Sequence, residues 1–197
     1  MKNIFKRFFA IPVFAIMAVM FFGSCNYNEL VNEEENVNEA WANVQNQYQR
    51  RSDLIPNLVN VVKGYASHEK ETLEAVINAR SKATQITVDP SNLDEESLKK
   101  YQEAQGELGS ALGRLMAITE AYPELKANEN FMELQAQLEG TENRITEHRN
   151  KFNAAVKTYN LACREFPGNI TAMIFGFKPK AMFEADANAQ NAPTVQF

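Results

Sequence analysis

The sequence predicts an all-α protein, an antiparallel up-down four-helix bundle behind an N-terminal signal or anchor segment. Three observations predict it. Four long segments carry apolar residues at helical spacing. Glycine and proline are scarce, with 8 and 7 in 197 residues, so few breakers interrupt those segments. No stretch of any length alternates apolar and polar residues as a half-buried strand does.

The first seven residues hold three basic side chains, Lys2, Lys6 and Arg7. The wholly apolar run "FFAIPVFAIMAVMFF" follows at residues 8–22. As a helix it spans about 22 Å, short of the ~30 Å hydrocarbon core, which suits the apolar region of a signal peptide. "GSC" ends at Cys25 and resembles a bacterial lipobox, although Phe22 stands where leucine is usual. Lipidation at Cys25 is expected, with an uncleaved anchor as the alternative. The domain reading is 1–24 for the signal peptide or anchor, 25–166 for the helical bundle and 167–197 for an extended C-terminal tail. Basic residues before the apolar run and "ELVNEEENVNE" after it place the bundle on the non-cytoplasmic side.

The first bundle helix is predicted at about 28–50 on Leu30, Val37, Trp41, Val44 and Tyr48. The second runs over about 54–84 on Leu58, Val61, Val62, Tyr65, Leu73, Val76 and Ile77. Pro56 lies in its first turn if Asp53 is the N-cap, where a missing N–H costs little. That makes "RRSDLIP" a corner between two helices; the alternative is a kinked rod through the proline. "ITVDPSN" breaks the pattern. The third helix opens on "LDEES", whose acids suit a helix N-terminus, and ends near Tyr122. The fourth carries Phe131, Leu134, Leu138, Ile145, Phe152, Val156 and Tyr159 and stops before Pro167. Each apolar stripe must be buried against the others to be stable in water. The tail from Phe166 to Phe183 is rich in Phe, Met and Ile. It is expected to strap back over the bundle; the alternative rests it on the membrane with Lys178 and Lys180 near the headgroups.

Charge excludes one class of partner. The 20 basic residues, less the three at the N-terminus, leave 17 against 25 acidic ones, and such a surface repels nucleic acid. Catalytic motifs are thin. "HEKET" at His68 has Thr72 where a zinc-protease helix needs its second histidine, and neither histidine lies three residues after a glutamate as di-iron bundles require. No cofactor or metal is expected. Cys163 falls on an apolar stripe and reads as a buried, inert thiol. Gly106, Gly109 and Gly113 share one side of the third helix and would admit a close neighbouring helix, or else a ligand cleft.

Two sets of side chains are candidate sites. With the corner at Pro56, Arg50, Arg51, Asp53, Tyr122, Lys126 and Glu129 gather at the end remote from the anchor as a partner-docking surface. His68, Glu142 and Arg149 form a polar layer inside the bundle, which fixes register or, alternatively, serves acid–base chemistry or one metal ion.

"RRSDLIPNLVNVVKGYASHE" (50–69), "ALGRLMAITEAYPELKANENFMELQAQLEGTENRI" (111–145), "RNKFNAAVKTYN" (149–160) and the shorter "YNELV", "AW", "FP" and "GF" occur in order. Together they resemble the LemA family over nearly the whole chain after Cys25. The resemblance implies a helical bundle behind one N-terminal hydrophobic segment, and no enzyme activity. It also implies a cytoplasmic bundle, against which the flanking charges argue. The resulting expectation is a non-catalytic, membrane-tethered interaction or scaffold module of the bacterial cell envelope. It would be held by membrane lipid through its N-terminus and meet an unidentified envelope protein. The alternative is a helical-bundle enzyme or metal carrier centred on His68 and Glu142.

Overall fold

A computed structural model describes the backbone of residues 2–90 and 93–184, and side chains from residue 26 onward within those ranges. The described residues are mainly helical, with no strand among them. The elements are α1 (Lys2–Tyr65), α2 (Lys70–Gln85), α3 (Glu95–Thr119), α4 (Pro123–Lys126), α5 (Glu129–Arg164) and α6 (Gly168–Phe175).

The expected corner at Pro56 does not exist. Helix α1 runs unbroken through the proline and ends at Tyr65, so Asp53 caps nothing and instead accepts from Gln49 Nε2 at 2.7 Å one turn away. The physical reason lies on the next helix. A proline at position 56 has no N–H to give the carbonyl of residue 52, and Arg80 Nε of α2 donates to that Ser52 carbonyl at 2.9 Å. The carbonyl freed by the proline is thus satisfied from a neighbour. The turn to α2 falls instead at residues 66–69, where Ala66 is fully buried.

Heptads explain why α1 and α5 pair along most of their described length. Leu30, Val37, Val44 and Leu58, with Trp41, Tyr48, Ile55 and Val62, are buried on α1. Leu138, Ile145, Phe152 and Tyr159 are buried on α5 at the same seven-residue interval. Helices α2 and α3 pack on each other as a shorter hairpin laid against the far part of α1. Asp94 caps α3 by accepting from Ser97 N at 2.8 Å, and Asn128 caps α5 from Phe131 N at 3.0 Å. At the remote end Tyr122 donates to Glu69 at 2.9 Å and Asn128 donates to the Tyr65 hydroxyl at 3.0 Å, closing the top of the structure.

The part of α1 nearer the N-terminus lacks α2 and α3 beside it, and the chain end fills the space. The segment after Phe166 begins as a helix, α6, rather than extended chain. Gly176 then takes a left-handed conformation at φ 82°, and its N–H and that of Phe177 both reach the Ala172 carbonyl, an ending that favours glycine. Residues 177–184 strap back along α5. Asn160 Oδ1 accepts from Lys180 N at 2.8 Å and Asn160 Nδ2 donates to its carbonyl at 2.9 Å; Asn153 does the same for Phe183 at 2.8 and 3.0 Å. Phe183 stacks on Trp41 with ring centroids 5.9 Å apart and meets Phe152 at 5.4 Å. Lys180 is buried, its Nζ bonded to the Pro90 carbonyl at 2.8 Å and paired with Glu34 at 3.1 Å.

Among the described residues no helix is long and apolar enough to cross a membrane. The apolar run at 8–22 and the lipidation expected at Cys25 lie outside the residues whose side chains are described.

Candidate functional site

The buried apolar side chains fall into two clusters. One is centred on Trp41, Tyr101 and Phe152, the other on Leu58, Leu108, Leu115 and Phe131. Arg51 sits between them. It occupies the heptad position that Leu30, Val37, Val44 and Leu58 fill elsewhere on α1, and only 3% of its surface is exposed.

Around Arg51 the helices are joined by side chains. Its NH2 donates to Gln105 on α3, at 2.6 Å to Oε1 and 3.1 Å to the carbonyl. Its NH1 donates to Glu142 on α5 at 2.7 Å. Gln105 Nε2 passes the connection on to the Ala83 carbonyl of α2 at 3.4 Å. The guanidinium lies 5.1 Å from the centre of the Tyr48 ring, a cation–π contact. Burial pushes the neighbouring Tyr101 hydroxyl well above its usual pKa, so it stays neutral beside this layer. A buried guanidinium is costly to desolvate, and its hydrogen bonds and half-exposed carboxylate offset that cost. Arg51 Nε and Ser52 Oγ are buried without a hydrogen-bond partner among the described residues. Ser52 lines a recess of about 150 Å³ beside Tyr48, Thr84 and Gln105, large and polar enough for water.

Glu142 also lines an open groove of about 560 Å³ between α3 and α5. Gly109, Leu112, Gly113 and Met116 form one wall; Gln135, Leu138, Glu139 and Asn143 form the other. The three glycines therefore do not serve close packing. A Cβ at Gly106 or Gly113 would meet nothing, and one at Gly109 would touch only Arg51 NH1 at 4.0 Å. Helices α3 and α5 stand apart at this level.

The structure redistributes the residues singled out from sequence. Because α1 continues to Tyr65, Arg50, Arg51 and Asp53 lie about 14 residues, or ~21 Å, short of its end. Tyr122, Lys126 and Glu129 alone are at that end, so the six docking residues form no common surface, and Arg51 is interior. Tyr122 is tied to Glu69, which raises its hydroxyl pKa; Lys126 pairs with Glu120 at 2.6 Å on the exposed surface. The layer of His68, Glu142 and Arg149 does not form either. His68 is exposed in the turn between α1 and α2. Arg149 holds the strap, donating to the Glu184 carbonyl at 3.1 Å and lying 4.7 Å from the centre of the Phe183 ring. Only Glu142 belongs to a polar layer, and its partner is Arg51. Among the described residues no group of three or more His, Cys, Asp or Glu side chains is placed to hold a metal ion. Gln105 and Arg80 carried no motif. The heptad 30–37–44–51–58 was the available signal for Arg51, hidden by breaking the helix at Pro56. Cys163 is buried, and burial pushes its thiol pKa up.

Comparison with known proteins adds relatives to this geometry. The Magnetosome protein MamQ of Magnetospirillum gryphiswaldense is 30% identical over 186 residues, covering 86% of this chain and 68% of that protein. Magnetosome protein MamQ 2 of Paramagnetospirillum magneticum is 28% identical over 195 residues, 89% of this chain and 72% of its own length. Protein LemA of Metamycoplasma hominis is 25% identical over 158 residues, 80% of this chain and 68% of its own length. A family model described as the LemA family matches residues 40–197, from the Trp41 cluster through the Arg51 layer to the strap, and the chain belongs to that family.

Proposed function

We propose that this protein is a non-catalytic helical scaffold of the bacterial cell envelope, tethered by its N-terminal segment with lipid at Cys25 and with its four-helix waist on the non-cytoplasmic side. The observation that carries the scaffold reading is the Arg51 layer. Its hydrogen bonds run across α1, α2, α3 and α5, which fixes helix register in the way a single polar heptad position can. A register so fixed holds the α3–α5 groove open. The groove offers an apolar floor of Leu112, Met116 and Leu138 with Glu139 and Glu142 at its rim. An amphipathic helix of a partner protein, with basic residues flanking its apolar stripe, has the complementary chemistry.

The test is in-cell photocrosslinking from the full-length chain, with probes at Gln135 and Gly113 in the groove and at Glu124 on the remote end. Capture of one defined protein from the groove positions, lost on charge reversal at Glu139 and Glu142, supports the reading. Capture of that same protein from Glu124 as efficiently, or its insensitivity to the reversal, refutes the groove as its seat. Intact-mass measurement reports the tether: loss of the first 24 residues with an added acyl mass is expected, and an unmodified Cys25 refutes lipidation.

The metal-carrier alternative meets an obstacle in the placement of its two residues. His68 lies in the turn beyond Tyr65, whereas Glu142 is at the level of Arg51, so no ion bridges them.

A further inference from the structure

Helix α6 is apolar on both sides. Gly168, Thr171 and Ala172 face the protein and are buried. The opposite side presents Ile170, Met173 and Ile174, which are 45%, 78% and 65% exposed; Phe175, in line with the buried side at the helix end, is still 60% exposed, and Phe166, just before the helix, is 80% exposed. Large apolar side chains scattered singly over a surface are ordinary, but five within ten residues of chain are not. Looseness does not explain this exposure. Gly168 lies so close to the Ala162 carbonyl of α5 that a Cβ could not be accommodated. Gly176 ends the helix, and the strap beyond it is pinned by Asn160 and the buried Lys180. The helix is held in place with its apolar side turned outward.

Its position identifies the occupant. Phe175 lies 4.8 Å from Tyr27 and Phe177 5.8 Å from it, centre to centre. Tyr27 is two residues along the chain from Cys25, the lipid site of the tethered reading, a rise of ~3 Å. The polar layer on each side of a bilayer is roughly 5–8 Å thick. With the acyl chains of Cys25 in the hydrocarbon, α6 therefore lies at the boundary between headgroups and acyl chains. Half-exposed Tyr27 and the exposed Lys178 beside α6 suit that depth, where aromatic rings and cationic side chains are favoured.

We propose that α6 is a second membrane contact: Phe166, Ile170, Met173, Ile174 and Phe175 seat in the surface of the same bilayer that takes the lipid of Cys25. This rests on the tethered reading above and extends it. Two attachments, one through the chain terminus and one through α6, fix the tilt of the rod instead of leaving it free to swing. The two sequence expectations for the tail are divided between its halves, with residues 177–184 strapped to the protein and α6 given to the lipid.

The chain has a single tryptophan, Trp41, buried 14 residues beyond Tyr27 and ~21 Å from it along α1. Acylated protein, as purified from bacterial membranes, is reconstituted into phosphatidylcholine–phosphatidylglycerol vesicles whose acyl chains carry bromine, a short-range quencher. Wild type, M173W and E124W are compared after flotation. The added emission of M173W is expected to fall by about half, as for a residue buried at the acyl boundary, while wild type and E124W are unchanged. In M173W carrying I174D and F175D, flotation and helical circular dichroism persist and the quenching disappears. Protein that fails to float refutes the tether, and this proposal with it. Protein that floats with M173W quenched no more than E124W refutes the α6 contact alone. Unquenched M173W that is shielded from aqueous acrylamide shows a second copy covering α6, and equally overturns the lipid assignment.

Discussion

The link between Pro56 and Arg80 gives a quantitative test of how α1 survives a proline in its middle. Arg80 is replaced by methionine, which keeps the apolar stem and removes the donor, in the wild-type chain and in a P56A background. In the wild type the Ser52 carbonyl has no helical donor, so the Arg80 bond at 2.9 Å is its satisfaction. A hydrogen bond from a charged donor contributes about 1.5–3 kcal/mol. The bond is only partly buried, so the lower end, roughly 1.5 kcal/mol, is expected for R80M. In the P56A chain the new backbone N–H serves Ser52, and R80M should cost only about 0.5 kcal/mol, the value of a bond no longer needed. The coupling is therefore ~1 kcal/mol. P56A alone should stabilise by about 1–2 kcal/mol, less than the ~3 kcal/mol helix penalty of proline because Arg80 already relieves part of it. Urea unfolding in mild detergent, followed by circular dichroism, reads these values. With a slope near 2 kcal/mol/M, R80M moves the midpoint by roughly 0.75 M in the wild type and roughly 0.25 M in P56A. Equal shifts in the two backgrounds would refute the idea that Arg80 compensates for the proline.

Other expectations follow from the same contacts. R51M should destabilise by about 2–3 kcal/mol, below the range for a fully buried pair because Glu142 rehydrates; E142Q should cost under ~1 kcal/mol, and adding Q105L to R51M should recover part of the loss, all read by the same unfolding curves. G106A and G113A should each stabilise by roughly 0.5–1 kcal/mol, since their new methyls meet nothing, whereas G168A should release α6, visible as faster hydrogen exchange over residues 168–175. F183A should cost ~3 kcal/mol through the Trp41 cluster and raise exchange in the strap before the rest of the protein; uniform exchange would contradict the division into two clusters. Peptide-mapped alkylation of Cys163 should be much slower in the native chain than in urea. Because the fold favours the neutral thiol, its contribution to stability is fully present below the ordinary thiol pKa of roughly 8.5 and declines as pH rises above it.

The helical class was legible because repeated seven-, four- and three-residue spacings leave little choice of secondary structure. Asp94 was legible too, since acids at a helix start have a local cause. Pro56 misleads because proline's effect on a helix is judged from its own segment, while the compensating donor sits 24 residues away on Arg80. That single displacement of a corner sends Arg51 to an imagined surface and His68 into an imagined interior. Arg149 was unreadable for a similar reason: its carbonyl partner, Glu184, belongs to a strap whose path is set by the side-chain amides of Asn153 and Asn160. The groove was half visible. The glycines of α3 fall on one side by helical spacing alone, but whether such a side meets a helix or an opening depends on where α5 stands.

The strap has a consequence for how the protein is made. Phe183 completes the aromatic nest around Trp41, and it leaves the ribosome 142 residues after Trp41. The hairpin half of the molecule can consolidate while synthesis continues, but the half nearest the N-terminal run stays unsealed until Phe183 has emerged. A ribosome that stalls before residue 177 yields a protein with a folded crown and an open root, and quality-control proteases would meet that root first.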